Sequence, residues 1–426
     1  MTLITAETVE RAQGELIVAK GDVITPLARD RAAELGIMIR QGDAATKVSG
    51  YPRPASVAPS VANAPLARPA PAVPVAAPVL QKGNVPATTQ LGAFSGALYR
   101  RGAPVPSVMI PVGASAPTCR PRAAVIGAGH VGATTTLRLV ETSLFEDVTM
   151  IDIVEGLAEG LALDMWHSAG LRGFTTRVTG ASDLSALAGV DYIVMTAGRP
   201  RKPGMTRTDL TAVNAQTIEC VASSIRQFAP NAVVVVVTNP LEEMTELMCR
   251  RTGFPAERVI GMAGVLDSAR FCSLVALTGI AGPGEVNALA LGSHGPEMVI
   301  PLSLATARGR PLKGQIPDAE LDAVVERERN SGGEVVGLLK TGSAYYSPGD
   351  SAALMVRHMV TSDQGLIAAC VRSRGAYGLS DTRVGLPVRL GPGGVAEIVE
   401  LPMTAEERSA LKVAADSIAA RIAELA

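Results

Sequence analysis

Aromatic residues are scarce in this chain of 426 residues, and it has no excess of charge of either sign. Aromatic side chains make up 3% of the sequence, and 39 basic residues nearly cancel 40 acidic ones, for a formal net charge of −1. A nucleic acid or an anionic membrane is usually bound through an excess of positive charge. The composition therefore predicts neither partner and favours small-molecule chemistry or protein contacts.

Paired cysteines and long apolar runs are missing as well. The five cysteines are widely spaced and include no Cys-x-x-Cys pair, so we expect neither a disulfide framework nor a metal site. The longest apolar run, residues 232–237, has the length of a strand, whereas a membrane span needs about 20 residues. The first ten residues include two acids and lack the pattern of a secretion signal. These features predict a cytoplasmic protein.

Hydrophobic residues, by contrast, make up 47% of the chain, which is enough to bury a core and excludes wholesale disorder. The 43 glycines and 29 prolines are many for a compact globule, so part of the chain is expected to stay unpacked. The length allows two or three units, because a typical domain has about 100–200 residues.

The N-terminal part of the sequence divides into a module and a linker. Residues 1–43 have the pattern of a small α/β module, in which Gly36 ends a helix predicted over residues 27–35. Residues 44–119 are expected to form a largely disordered Pro/Ala-rich linker, because 17 of the 27 residues in 52–78 are proline or alanine.

From about residue 120 the pattern becomes regular. Short β-rich apolar runs alternate with segments of helical period, which predicts a parallel sheet with helices on both faces. The C-terminal third combines strand pairs, in VGLPVRLG and VAEIVELP, with long helices such as residues 404–425. It is therefore expected to form a second, mixed α/β unit.

A glycine-rich loop follows the first of these strands. Gly127, Gly129 and Gly132 have the GxGxxG spacing of a dinucleotide-binding turn, and a helix N-terminus that follows can bind phosphates. Asp152 lies 20 residues beyond Gly132, where its carboxylate can accept the ribose hydroxyls and would repel a 2′-phosphate. The pattern predicts a doubly wound Rossmann domain that binds NAD.

The four histidines differ in their surroundings. His294 follows a predicted strand and is flanked by glycines, so it is accessible and able to exchange a proton near neutral pH. His130 and His167 are more simply structural or solvated, and His358 is expected to be a hydrogen-bonded core residue. His294 is therefore the candidate acid or base.

Two further segments supply groups for such a base. Asp267 and Arg270 are three residues apart on a predicted helix, where they orient the imidazole and bind a carboxylate or else form a surface ion pair. The segment TAGRPRKPGMTRTDL carries four cations, among them Arg201 and Arg207, between glycines and prolines. It is either a lid that closes on an anion or a solvated loop.

From about residue 120 to 426 the chain resembles the lactate/malate dehydrogenase superfamily, in particular the lactate-dehydrogenase-like bacterial malate dehydrogenases. The resemblance rests on GAGHVG, IDIVEG, TAGRPRKPGMTRTDL, VTNPLE, GMAGVLDSARF, GSHGPEM and LLKTGSAYY, which stand in the family's order and spacing. It implies an NAD-binding Rossmann domain over residues 120–265 and a catalytic α/β domain over residues 266–426, in a homodimer or homotetramer.

The resemblance also implies roles for individual residues. His294 matches the catalytic acid/base and Asp267 its partner. Arg270 matches the arginine that binds the C1 carboxylate of the substrate, and Arg207 the lid arginine that polarises the reacting carbonyl.

Other matches concern the cofactor and the choice of substrate. The loop residues Ala128, His130 and Val131, with Asn214 and the turn Val237, Thr238 and Asn239, match cofactor contacts, and Asn239 also reaches the substrate. Arg201 matches the specificity position, which is Gln in the lactate enzymes and Arg in the malate enzymes. A second substrate carboxylate under a closed lid requires such a cation, so malate and oxaloacetate are preferred to lactate and pyruvate.

The chain departs from the family pattern after the candidate histidine. The family usually continues with Gly-Asp-Ser, whereas Pro296 and Glu297 stand here in place of the last two. This difference keeps a lactate or other 2-hydroxy acid dehydrogenase open as an alternative. A tethered scaffold or binding protein with a vestigial enzyme core is the alternative from another class.

The N-terminal segment VITPLARDRAAELGI is similar to short segments on enzymes associated with bacterial microcompartments, and more loosely to the peripheral-subunit-binding modules of acyltransferases. Either resemblance implies that residues 1–43 bind a protein partner. A small accessory domain of another purpose is the alternative.

Overall fold

A computed structural model describes residues 120–200, 207–340 and 342–425, together with parts of the N-terminus. The described N-terminal residues are 3–4, 8–9, 12, 14–18, 23–24, 28, 31–32 and 35–41. The predicted linker over residues 44–119 lies outside the described residues. The pattern of contacts between residues divides the chain into two units, residues 1–105 and 106–426.

The N-terminal unit contains two pairs of parallel strands. Strand β1 (Leu3–Ile4) pairs with β3 (Val23–Ile24), and β2 (Glu15–Val18) pairs with β4 (Met38–Gln41). Gly36 has a φ of 66°, which suits the predicted end of a helix. A small core forms from Ile4, Val9, Val18, Ala28 and Ala32.

The second unit begins with six parallel strands. They are β5 (Ala123–Ile126), β6 (Asp147–Ile151), β7 (Arg177–Ala181), β8 (Tyr192–Met195), β9 (Val233–Val236) and β10 (Val259–Gly261). Their order in the sheet is β7-β6-β5-β8-β9-β10. This is the strand order of a Rossmann domain, in which the direction of winding reverses between β5 and β8. The predicted doubly wound sheet is confirmed.

Helices cover both faces of this sheet. They are α1 (His130–Glu141), α2 (Leu157–Arg172), α3 (Arg207–Phe228) and α4 (Leu241–Thr252). Alternate residues of β5 enter different cores, because side chains of a strand point to opposite faces. Ala123 and Val125 pack in the core that includes α1, and Ala124 and Ile126 in the core that includes α3 and α4.

The remaining residues form a mixed α/β part. Its strands are β11 (Val286–Asn287), β12 (Leu291–Gly292), β13 (Met298–Val299), β14 (Thr306–Ala307), β15 (Arg310–Pro311), β16 (Ile367–Arg372), β17 (Arg383–Gly391) and β18 (Gly394–Ile398). Its helices are α5 (Gly264–Ala276), α6 (Asp318–Leu339), α7 (Tyr346–Thr361) and α8 (Ala405–Ala423). The antiparallel pair β17 and β18 confirms the predicted strand pair.

This part continues the large sheet, because β16 pairs antiparallel with β10 and is followed by β17, β12 and β13. The predicted C-terminal helix begins after Thr404, whose side chain accepts a hydrogen bond from the Glu407 N–H. Among the residues that the structure describes, no helix is both long and apolar enough to cross a membrane.

Candidate active site

The glycine loop between β5 and α1 has little room for side chains at two of its three glycines. Gly127 has a φ of 103°, and a Cβ there would lie 2.7 Å from the Ala197 nitrogen. A Cβ on Gly132 would lie within van der Waals overlap of the Gly127 oxygen. A Cβ on Gly129 would meet no described atom within 4 Å. The loop therefore packs closely on its neighbours at Gly127 and Gly132 and has open space at Gly129.

Asp152 is fixed beside this loop. Its Oδ2 accepts a hydrogen bond of 2.7 Å from the Ala128 N–H, and its Oδ1 one of 3.0 Å from the Val154 N–H. Helix α1 starts after Gly129 without a side-chain cap, so its first N–H groups are available to an anion. The loop, the helix start and the carboxylate together fit a dinucleotide.

The other predicted loop residues surround this site. Ala128 is buried, Val131 is half-buried and His130 is exposed. The His130 ring lies 4.9 Å from the ring of Tyr345, which precedes α7. His130 is thus an exposed residue with one aromatic neighbour, and whether its role is structural stays a prediction.

The turn after β9 lies against the segment after β8. Thr238 is buried and donates a hydrogen bond of 2.7 Å from Oγ1 to the Ala197 carbonyl. A Cβ on Gly198 would lie 2.6 Å from the Thr238 methyl group. Val237 is half-buried and Asn239 exposed at this same edge. The carboxyl ends of β8 and β9 are therefore joined where ligands bind in this fold.

Asn214 of α3 ties the two segments together. Its Oδ1 accepts from the Arg199 N–H at 2.8 Å, and its Nδ2 donates to the carbonyls of Arg199 at 3.2 Å and Asn239 at 2.6 Å. The side chain is buried. It thereby fixes the backbone at the start of the segment that carries the predicted lid.

The structure gives little information on the predicted lid arginines. Arg201 lies outside the described residues. Arg207 is the first residue of α3, but its side chain also lies outside the described part of the chain. Their proposed roles remain predictions.

His294 and Asp267 form the predicted pair. His294 follows β12, and its Nδ1 lies 2.8 Å from Oδ2 of Asp267 on α5. The other carboxylate oxygen, Oδ1, lies 3.5 Å from Nη1 of Arg270. Asp267 is buried, so this is not the surface ion pair that the i,i+3 spacing left open. Arg270 donates no hydrogen bond to the described residues, and its guanidinium is thus able to bind a carboxylate.

The charges around His294 favour its protonated form. Burial works against the charge, but the carboxylate of Asp267, through its charge and its hydrogen bond, outweighs burial and raises the pKa of His294 to about 9. The side chain is 21% exposed. In the protonated ring Nδ1 donates to Asp267, so Nε2 is the nitrogen that remains for proton transfer.

Glu242 is a contact that the sequence reasoning missed. It stands in the first turn of α4, and its Oε1 accepts a hydrogen bond of 2.5 Å from the His294 backbone N–H. Burial raises the pKa of this carboxyl. Its only signal in the sequence is its place directly after VTNPL, where an acid is common at any helix start.

Glu297, one of the two unusual residues after His294, contacts α8. Oε1 of Glu297 accepts a hydrogen bond of 3.1 Å from Ser417 and lies 3.7 Å from Nη1 of Arg421. Arg421 in turn donates to Glu243 of α4 at 3.1 Å. Glu297 therefore takes part in a network between α4 and α8.

The fourth histidine, His358 of α7, is buried as expected. Within the described part of the chain its Nδ1 has no hydrogen-bond partner, and Nε2 lies 3.8 Å from Oδ2 of Asp363, beyond hydrogen-bond distance. The expectation of a hydrogen-bonded core histidine is therefore wrong. Burial lowers the pKa of this imidazole.

Two family models match the second unit. The NAD binding domain of lactate/malate dehydrogenases matches residues 121–261, and their α/β C-terminal domain matches residues 264–426. The chain belongs to the lactate/malate dehydrogenase family. The NAD-binding domain that the glycine loop and Asp152 predicted is thus confirmed.

Relatives within this family include malate dehydrogenases from bacteria. That of Chloroherpeton thalassium is 45% identical over 294 residues, which are 69% of this chain and 95% of that protein. That of Roseiflexus sp. is 41% identical over 306 residues, which are 72% of this chain and 99% of that protein. Both alignments thus span nearly all of the relative and about seven tenths of this chain.

Solved structures in the family have the same fold. Malate dehydrogenase from Cryptosporidium parvum is 36% identical, with a TM-score of 0.69 over 72% of this chain and 99% of that one. Lactate dehydrogenase from the same organism, complexed with lactic acid and nicotinamide adenine dinucleotide, is 32% identical, with a TM-score of 0.68 over 72% of this chain and 99% of that one. The fold is thus common to enzymes named for either substrate.

Proposed function

We propose that this chain is an NAD-dependent malate dehydrogenase that interconverts malate and oxaloacetate. The observation that carries the proposal is the part-buried hydrogen bond between His294 and Asp267, with Arg270 beside the same carboxylate. Relatives at 41–45% identity bear the name malate dehydrogenase. Residues 120–265 bind NAD in this proposal, and residues 266–426 supply most of the catalytic groups.

The substrate is bound through its two carboxylates. Arg270 binds the C1 carboxylate, because its donors are free of hydrogen bonds to the described chain and lie beside the proton-transfer pair. Arg201 binds the second carboxylate from the lid, and the support for this is its match to the specificity position. Asn239 completes the substrate site at the carboxyl end of β9.

His294 moves the proton. In malate oxidation its neutral Nε2 accepts the hydroxyl proton, and in oxaloacetate reduction its protonated form returns a proton to the carbonyl oxygen. Asp267 stabilises the imidazolium without leaving its hydrogen bond. Arg207 stabilises the charge that develops on the reacting oxygen, and closure of the lid excludes water.

NAD, when bound, supplies the hydride acceptor of this chemistry. We assign its pyrophosphate to the loop formed by Gly127, Ala128, Gly129, His130, Val131 and Gly132, and its ribose hydroxyls to Asp152. Asn214 and the turn residues Val237, Thr238 and Asn239 shape the nicotinamide end. For Asn214 the support is its position between the segments after β8 and β9, which it holds together.

The proposal is tested by comparing kcat/KM for oxaloacetate and pyruvate with NADH, in the parent and in Arg201→Gln. We expect the parent to prefer oxaloacetate. In the variant, kcat/KM for oxaloacetate should fall by a factor of at least about 10², since the cation that binds the second carboxylate has been removed. A parent that prefers pyruvate would establish the lactate alternative. A parent that reduces no 2-oxo acid would establish the scaffold alternative.

We further propose that the enzyme is a homodimer or homotetramer. Large apolar side chains are exposed on α2 and directly before it, among them Ile153, Leu163, Trp166 and Leu171. A stretch of exposed apolar residues of this kind marks a protein contact. Sedimentation analysis should find an oligomer in the parent and a smaller species in Leu163→Asp, and a monomeric parent would refute the proposal.

For the N-terminal unit we propose a protein-binding role, with a bacterial microcompartment as the destination. Alternate residues of β2 and β4 point inward to the small core, while Ile17, Met38 and the nearby Leu35 are exposed. Deleting residues 1–80 should leave kcat nearly unchanged and abolish co-localisation with a compartment. Unaltered co-localisation would refute this destination.

A further inference from the structure

Glu328 is a buried carboxyl group without a hydrogen bond to the described residues. It lies in the middle of α6 and is 1% exposed, and neither Oε1 nor Oε2 has a hydrogen-bond partner in the described part of the chain. Buried carboxyl groups in folded proteins are nearly always paired or hydrogen-bonded. A buried carboxyl group without a hydrogen bond lowers the stability of the folded protein. Its presence therefore calls for a functional explanation.

The face of α6 that carries Glu328 lies beside Arg270. Ser331 and Gly332 are three and four residues further along, so all three share one side of the helix. A Cβ on Gly332 would lie 3.9 Å from Nη1 of Arg270. Ser331 is buried as well, and its Oγ also has no partner. Two unsatisfied polar side chains therefore lie on the helix face next to the guanidinium.

The surroundings of Glu328 favour its uncharged form. Burial raises the pKa of its carboxyl to about 8, and the negative charge of Asp267 acts in the same direction. The positive charges of Arg270, His294 and Arg329 oppose this shift without cancelling it. At pH 7 the larger part of the group is then a carboxylic acid, which has one O–H to donate.

Two simpler roles do not fit Glu328. A structural carboxyl would bond to a neighbouring helix, as Glu243 does with Arg421 at 3.1 Å, but Glu328 forms no hydrogen bond with any residue that the structure describes. A proton donor for the reaction is already present, because His294 is oriented by Asp267. The role that remains is that of a neutral donor beside Arg270, on the same helix face as the Ser331 hydroxyl.

We propose that Glu328 is a further substrate-binding residue, which as a neutral carboxylic acid donates a hydrogen bond to the carboxylate held by Arg270. This inference rests on the proposed dehydrogenase function. A neutral donor adds a hydrogen bond to the carboxylate without a second buried cation. When Glu328 ionises, it loses the donor and repels the substrate, so substrate binding weakens as the pH rises through about 8.

The test compares KM for oxaloacetate between pH 6.5 and 9.5 in the parent, Glu328→Gln, Glu328→Leu and Glu326→Gln. Glutamine keeps a donor and cannot ionise, leucine has no donor, and Glu326 is a matched acid, 65% exposed, on the same helix. His294 titrates in all four proteins. A difference between the parent and Glu328→Gln therefore reports Glu328 itself.

We expect KM of the parent and of Glu326→Gln to rise by about tenfold more across this range than KM of Glu328→Gln. Glu328→Leu should raise KM at pH 7 by about tenfold, with a smaller effect on kcat, and glutamine should restore most of that loss. If Glu328→Leu does not fold, the comparison of the parent with Glu328→Gln still decides.

Two results overturn the inference and differ from failure of the proposed function. If the parent reduces oxaloacetate and Glu328→Gln has the same dependence of KM on pH, Glu328 does not bind the substrate. If Glu328→Leu folds and keeps the parent's KM, the donor is not used. If the parent reduces no oxaloacetate at any pH, the proposed function itself has failed, and this inference with it.

Discussion

The imidazole Nδ1 of His294 lies 2.8 Å from Oδ2 of Asp267. The histidine follows β12 and the aspartate lies on α5, so the contact joins residues 27 positions apart in sequence. Because the carboxylate is buried and its second oxygen faces Arg270, the pair orients the ring and supports its positive charge. The account of the reaction depends on this contact.

Replacing Asp267 by Asn should make His294 a poor proton donor at neutral pH. Burial, which lowers the pKa of His294, would then be opposed by much less negative charge, so this pKa should fall from about 9 to below its ordinary value of 6.5. We expect kcat for oxaloacetate at pH 7.5 to drop by about 10² or more. The decline of this activity with rising pH should also begin at lower pH than in the parent. An unchanged pH profile would mean that Asp267 does not control the imidazole.

The glycine loop offers a matched pair of substitutions. Gly132→Ala places a Cβ against the Gly127 oxygen and should lower the melting temperature or prevent folding. Gly129→Ala meets no described atom within 4 Å, and the backbone there, with φ −68° and ψ 178°, suits alanine. This variant should keep the parent's melting temperature but raise KM for NADH by about tenfold or more, because its methyl group approaches the pyrophosphate. Equal KM values for NADH in the parent and in Gly129→Ala would show that the cofactor binds elsewhere.

Arg270 should matter for the substrate and little for folding. Arg270→Gln should raise KM for oxaloacetate by about 10² while KM for NADH changes little, since a carboxylate loses its cation. Arg327→Gln is the control, because Arg327 forms an exposed ion pair with Glu334 at 2.8 Å and should leave both constants near those of the parent. If both variants behave alike, Arg270 is not the carboxylate ligand.

Glu328 should also be visible in the pH dependence of stability. An acid whose pKa is raised in the folded state binds more protons there than in the unfolded chain, so the free energy of unfolding falls as the pH rises from about 4.5 to 8. Glu328→Gln lacks this loss. Between pH 4 and pH 8 its free energy of unfolding should therefore rise by a few kcal/mol relative to that of the parent. Denaturant titrations at pH 4, 6 and 8 measure the gain. If the free energies of unfolding of the parent and of Glu328→Gln change in parallel with pH, the pKa of Glu328 is not raised by folding.

Much of the site was predictable because its signals are local. The GxGxxG spacing, the acid 20 residues later and the glycines around His294 each report a backbone requirement that neighbouring residues reveal. The parallel sheet with helices on both faces followed from the alternation of strands and helices, since parallel strands need crossover connections.

Contacts between distant segments were not predictable in this way. Glu328 lies in the run ERERN, where nothing distinguishes the buried acid from its exposed neighbour Glu326. Glu297 was interpreted as a change beside the catalytic loop, whereas its hydrogen bond goes to Ser417 on α8, 120 residues away. Asn214 joins two loops through backbone groups that carry no sequence signal.

The most direct test of the central claim is to follow the hydrogen itself. Oxaloacetate is reduced with NADH deuterated at the transferring position of the nicotinamide, and the malate formed is analysed by NMR. The account predicts malate with deuterium on C2, and its formation should be slowed by at least about 10² in His294→Asn. Malate without deuterium on C2, or no malate from the parent protein, would contradict the account.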